Sequence, residues 1–140
     1  MKSLIISLII LPFAMMTKQS DYLLIEHVGI SDKPIPSIII SKKTIENPND
    51  TRHYLVSKKD YDTVKDIILK FNKVEHECEK NEFGSFNLVV NERASIKHNY
   101  LLGRKDAILL FIQITEALKK ETKNEKLVSE LEMLQKRIKL

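Results

Sequence analysis

Residues Gly103–Lys120, GRKDAILLFIQITEALKK, constrain the fold more than any other stretch of the chain. Ala107–Ile112 is an unbroken apolar run, and Ile114, Ala117 and Leu118 continue it at helical spacing. On a helix, positions 107, 111, 114 and 118 make one stripe and 108, 112 and 115 make its neighbour. A helix apolar over so much of its circumference has to be covered on more than one side. Gly103 can serve as its N-cap, Asp106 suits the positive end of the helix dipole, and Lys119 and Lys120 suit the negative end. The residues before it are then expected to form the sheet on which it lies, and those after it a cover.

The sequence before this helix alternates with a period of two. Tyr22–Ile30 reads as a first strand, with Leu23 and Ile25 on the face of His27 and with Leu24 and Val28 on the face of Glu26. A turn signal, SDKPIP, separates it from a β-branched second strand, Ile35–Ser41. Lys42–Thr51 holds the loop sequence NPND, and Arg52–Ser57 is a short third strand. Ser57 and Asp60 then resemble a capping box with Asp in place of Glu or Gln. Tyr61, Val64, Ile67, Ile68, Phe71 and Val74 follow at helical spacing, which predicts an amphipathic helix from Lys58 to about Glu77. Phe86, Leu88 and Val90 alternate with Ser85, Asn87 and Val89 as a fourth strand. Asn91–Ala94 turns the chain into a fifth, on which Ile96, His98, Tyr100 and Leu102 share a face. The short link makes these two an antiparallel hairpin. After ETKN comes a last helix, Asn124–Leu140, with Leu127, Leu131, Leu134 and Ile138 on one stripe.

The order β-β-β-α-β-β-α-α with short links predicts an α+β, two-layer domain. Its sheet is expected to have about five antiparallel strands, with the helices packed on one face. A length of 140 residues allows one domain, and 43% hydrophobic with 30% charged residues is a globular composition.

Residues 1–20 stand apart. Lys2 is followed by the apolar run Leu4–Met16 and then by TKQS. A short basic start before ~7–15 apolar residues is the plan of a secretory signal peptide. As a helix, thirteen residues measure ~20 Å, short of the ~30 Å hydrocarbon core of a bilayer. An uncleaved anchor and a buried first element of the domain are the alternatives. No clean A-x-A cleavage motif ends the run, and no cysteine follows it to carry a lipid. The expectation is a signal peptide over 1–20, a single domain over 21–140 and a periplasmic or secreted location. Removing the leader leaves 21 basic groups against 19 acidic ones, a net charge of +2 in place of +4. That balance offers no case for nucleic acid, and a membrane enters only if the leader is retained.

The candidate chemistry is sparse. The densest polar group, Glu75-His76-Glu77-Cys78-Glu79, holds metal-binding residue types, but structural zinc sites show paired ligands at set spacings and this one does not. Cys78 is the only cysteine, so no internal disulfide exists. As a nucleophile it would need a base brought close in space. His98 is expected on a core-facing stripe, as a neutral core residue or as a pocket residue near the sheet edge. His27 and His53 also fall on strands and would approach it if those strands were neighbours. No phosphate loop, nucleophile elbow or HExxH is present, and no cofactor is implied. The Lys and Glu residues of the last two helices read as a solvated face of i,i+4 pairs. Asn49-Asp50-Thr51 is a formal glycosylation sequon.

The reading is a small exported domain of non-enzymatic, protein-binding character. A secreted or periplasmic hydrolase with a site assembled from His98, His53 or Cys78 is one alternative. A membrane-tethered accessory subunit that keeps its leader is another. The stripe of the last helix packs on the Gly103–Lys120 helix as a helical hairpin, or pairs with its own copy in a homodimer.

Overall fold

The structure is a computed structural model that describes residues 21–28, 35–45, 51–71, 84–121 and 124–139. The expected leader (1–20) and the cluster around His76 and Cys78 lie outside the described residues, as does the Asn49 sequon. The elements follow the expected order: β1 (Tyr22–His27), β2 (Ser37–Ser41), β3 (Thr51–Leu55), α1 (Lys58–Lys70), β4 (Phe86–Glu92), β5 (Ser95–Leu102), α2 (Arg104–Glu121) and α3 (Glu125–Lys139). The fold is α+β, a single five-stranded sheet in the order β3-β2-β1-β4-β5. Among the described residues, no helix is long and apolar enough to cross a membrane.

Three of the four strand pairs are antiparallel, but β2 and β3 run parallel, with Ser37 opposite Thr51 and Ser41 opposite Leu55. The expectation of antiparallel pairing throughout fails here for a reason of chain length. A hairpin would need only a tight turn, whereas a parallel return must retrace the strand. Five strand residues cover ~17 Å and the nine residues 42–50 can reach ~30 Å, so the link is long enough for the return. The result places β3 at one edge and β5 at the other.

Register sorts the strand residues onto two faces. On the first lie Leu23, Ile25, Ile38, Ile40, Phe86, Leu88, Val90 and Leu102, each no more than 1% exposed. They form one core cluster with Tyr61, Val64 and Ile68 of α1, with Ala107, Leu110, Phe111, Ile114 and Leu118 of α2, and with Leu127, Leu131, Leu134 and Ile138 of α3. All three described helices therefore cover the first face. Among the described residues the cluster runs from Leu23 to Ile138.

α2 packs against both α1 and α3, which explains its broad apolar surface; only Leu109 turns outward, at 42% exposure. Gly103 occupies the expected N-cap position, its carbonyl accepting from Ala107 N–H at 2.9 Å. Ser57 caps α1 by accepting from Asp60 N–H at 3.1 Å, and Asn124 Oδ1 accepts from Leu127 N–H at 3.3 Å to start α3. α1 stops at Lys70, short of the expected Glu77, because Phe71 takes an extended conformation (φ −65°, ψ 126°). The stripe of α3 is at most 1% exposed and is used within the chain, as the helical-hairpin reading expects. A homodimer through that stripe would have to lift α3 from the core.

Among the described residues, three backbone positions have positive φ. Glu92 pairs with Ser95, so Arg93 and Ala94 alone make the β4–β5 turn, with φ of 50° and 65°. Positive φ at both central residues is the signature of a type I′ hairpin turn, which suits the twist of the strands but costs non-glycine residues energy. Gly84 precedes β4 with φ +86°, and a Cβ built there would come within 2.9 Å of Ile138 Cγ2. Only glycine lets the chain pass this close beneath α3.

Candidate docking face

The candidate residues named from sequence do not meet. His27 and His98 both lie on the helix-covered face, but His27 is opposite Phe86 while His98 is opposite Val90, two strands away. Two strand spacings and four residues separate them by roughly 16 Å. His53 is opposite Ile39, on the other face and at the far edge of the sheet. Neither the depression along α1, lined by Lys58, Asp62 and Lys65, nor the α2–α3 seam, lined by Thr115 and Gln135, contains a histidine. Among the described residues no three His, Cys, Asp or Glu side chains gather as metal ligands would.

Each histidine has a local explanation. His27 packs edge-on to Phe86 at 5.3 Å, and Phe86 in turn packs edge-on to Phe111 at 5.1 Å. Burial, with the positive charge of Arg137, holds its pKa below the usual histidine value. His98 departs from expectation: it shares the covered face yet is exposed, its ring edge-on to Tyr100 at 5.3 Å. The reason is where α1 meets β5. Tyr100 Oη donates to the Ile68 carbonyl at 2.7 Å, two residues beyond His98, so the cover reaches Tyr100 and leaves the first half of the edge strand bare.

Among the described residues, His53 and Ser41 form the one pair that resembles a nucleophile with its base. The Ser41 hydroxyl donates to the Lys43 carbonyl at 2.6 Å, so its oxygen accepts from His53 Nε2–H. The proton is thus held by a carbonyl and the imidazole is a donor, the reverse of what activates a serine. Ser41 is also 0% exposed, and burial lowers the pKa of His53. The pair ties β3 to the end of β2.

Two polar clusters that sequence reasoning missed join helices to strand ends. At one end of the sheet Glu92 Oε1 accepts from Lys65 Nζ at 2.8 Å and from Tyr61 Oη at 3.3 Å, while Lys42 Nζ stands 4.8 Å from the centre of the Tyr61 ring. Burial first and the Glu92 charge second push the Tyr61 pKa well above its usual value, so the phenol stays a donor. At the β3 edge Arg52 Nη1 pairs with Glu130 Oε2 at 2.6 Å, and Glu130 is 6% exposed. Both clusters fasten α1 and α3 to the sheet and leave no group poised for acid–base work.

What remains is the second face of the sheet. Its rows follow from register: Leu55, Ser41, Tyr22, Asn91 and Ile96 in one, and His53, Ile39, Leu24, Val89 and Asn99 in the next. Glu26, Asn87 and Leu101 continue it. Among the described paired positions Glu26 is the only carboxylate and none is Lys or Arg; Lys97 is the extra residue of the β5 bulge. A chain that is 30% charged has kept this face nearly neutral, with an apolar centre at Leu24, Ile39 and Val89. Leu55 and Ile96 at its rim are 56% and 61% exposed. Ile39 and Val89 stand outside the core cluster, since every described helix lies on the other side. A sheet face of this kind is suited to burial against another surface.

No protein-family model matches the chain, and no curated protein or solved structure shows significant similarity to it.

Proposed function

We propose that the chain is a small exported, non-enzymatic module that binds a partner protein through the second face of its sheet. The observation that carries this reading is the face itself, five strands wide, apolar at its centre and free of Lys and Arg at its described paired positions. Apolar area removed from water drives association, and a face whose described paired positions hold one carboxylate and no Lys or Arg incurs little desolvation cost on being covered. The absence of Lys and Arg from its described paired positions, with a net charge of only +2 once the leader is removed, favours protein over nucleic acid as the partner. The leader, Lys2 and the run Leu4–Met16, supports export to the periplasm or the medium. The hydrolase reading has no comparable support, because His53 and His98 occupy opposite faces and opposite edges of the sheet.

The test is chemical cross-linking in the producing cell, with tagged full-length chain as wild type, Leu24→Lys and Leu109→Lys. Leu24 is central to the face and Leu109 is exposed on α2. The expected outcome is recovery in the exported fraction, with a cross-linked species that only Leu24→Lys abolishes. Recovery in the cytosol refutes the location. A cross-linked pattern common to all three chains, or none, refutes the surface.

A further inference from the structure

The second face repeats itself about its central strand. Two rows cross all five strands, and each is a palindrome of polarity about β1. In the first, Tyr22 is flanked by Ser41 and Asn91, and these by Leu55 and Ile96. In the second, Leu24 is flanked by Ile39 and Val89, and these by His53 and Asn99. Ile39 and Val89 are shielded across the strands by Leu24, His53 and Asn99, so the apolar side chains that stand clear are at the rim. Leu55 and Ile96 are the two most exposed large apolar residues described, and they end the same row at opposite edges of the sheet.

We propose that this face pairs with the same face of a second copy of the chain, about a two-fold axis that runs parallel to β1 between the two sheets. A two-fold interface must be self-complementary, each residue meeting the one its copy presents in return. This axis lays β3 of one copy over β5 of the other and keeps each row opposite itself. Leu55 then meets Ile96 of the second copy, Ile39 meets Val89 of the second copy, and Tyr22 and Leu24 meet their own copies. The polar members match as well, with Ser41 opposite Asn91 and His53 opposite Asn99. The His53 ring gives Nε2–H to Ser41, and its Nδ1 can accept from the side-chain amide of Asn99 of the second copy. A two-fold across the strands would set β3 over β3 and β5 over β5, and Leu55 would not meet Ile96.

The area agrees with a weak dimer. Five strands at ~4.8 Å and three rows at ~6.8 Å cover roughly 24 Å by 20 Å, about 500 Å² on each copy and about 1,000 Å² in all. That is at the lower limit of specific interfaces. Glu26, the one carboxylate at a described paired position, is next to the end of β1 and outside both palindromic rows, so its charge is left at the rim. The proposal names the partner in the binding reading and rests on the same face.

The experiment is sedimentation equilibrium of the full-length chain as wild type, as Leu55→Glu, as Ile96→Lys and as an equal mixture of the two variants. Both positions are exposed at the rim, so each variant should keep its melting temperature within about 3 °C. Wild type should dimerise with a Kd on the order of 10–100 μM. Each variant alone sets a charge against an apolar side chain at both ends of the row, and its Kd should rise about tenfold or more. In the mixture one contact is again Leu55 with Ile96 and the other brings the two introduced charges together. Its Kd should return to within about threefold of wild type. A chain that stays monomeric up to about 1 mM overturns the proposal. So does a mixture no tighter than its components, and so do variants that dimerise as wild type does. Each of these results leaves the binding reading standing, since that is tested by cross-linking in the cell, where another protein can be the partner. That reading fails separately, if Leu24→Lys abolishes no cross-linked species there.

Discussion

Phe111→Ala is the perturbation whose magnitude the structure fixes best. Phe111 is at the middle of α2, 0% exposed, between the sheet and the flanking helices. A buried Phe removes ~150–250 Å² from water, and truncation to alanine forfeits over half of that, roughly 3 kcal/mol at ~25 cal/mol per Å². The edge-on contact with Phe86, at 5.1 Å and 82°, adds ~0.5–1.5 kcal/mol beyond area. Partial collapse of the surroundings returns some of this, so the expected loss is about 3–5 kcal/mol. Phe86 also holds His27, so the contact between β1 and β4 at this point should loosen with it. Urea unfolding of 1–140 followed by circular dichroism measures the loss, with Leu109→Ala as the control on the exposed side of the same helix, expected within about 0.5–1 kcal/mol of wild type. A cost below about 1 kcal/mol for Phe111→Ala, or equal costs for the two variants, would refute the placement of α2 at the centre of the core.

Gly84→Ala should destabilise by about 1–3 kcal/mol in the same assay, because positive φ and the 2.9 Å approach to Ile138 both oppose a Cβ. Replacing the turn residues, Arg93→Asn with Ala94→Gly, should raise stability by about 0.5–1 kcal/mol, since both positions have positive φ in a two-residue turn. Stability should also fall as pH is lowered. The folded pKa values of His27 and His53 lie below the unfolded value of ~6.5, so the unfolded chain takes up protons first and the loss begins near pH 6.5, levelling off below the folded values. His27→Phe should flatten that slope in chemical unfolding measured from pH 7.5 to 5, and an unchanged slope would show that His27 is not buried neutral.

The fold was legible because its local signals agree with one another. Alternation in Leu23–Ile25 and Phe86–Val90 marked strands, the stripe of Leu127, Leu131, Leu134 and Ile138 marked α3, and Gly103, Ser57 and Asn124 marked where the helices begin. Pairing direction was not legible for β2 and β3, because it depends on where a loop leads and not on the residues of either strand. Exposure of His98 was hidden for a similar reason: alternation assigns a face, but the reach of α1 over that face is a tertiary matter. The ties of Tyr61 and Lys65 to Glu92, and of Arg52 to Glu130, join residues 27 to 78 positions apart, a separation at which sequence carries no signal. The second face was overlooked because its apolar residues, Leu24, Ile39 and Val89, come from three strands and form a patch only after those strands align.

That second face is the working surface of this account, and binding of an apolar fluorescent dye to 21–140 tests it most directly. Wild type and Leu109→Lys should bind the dye alike. Leu24→Lys should lose binding while keeping its melting temperature within about 3 °C, which separates a bared face from a loosened core. Dye binding that survives Leu24→Lys, or that wild-type 21–140 never shows, would contradict the claim that the second sheet face is where this protein meets its partner.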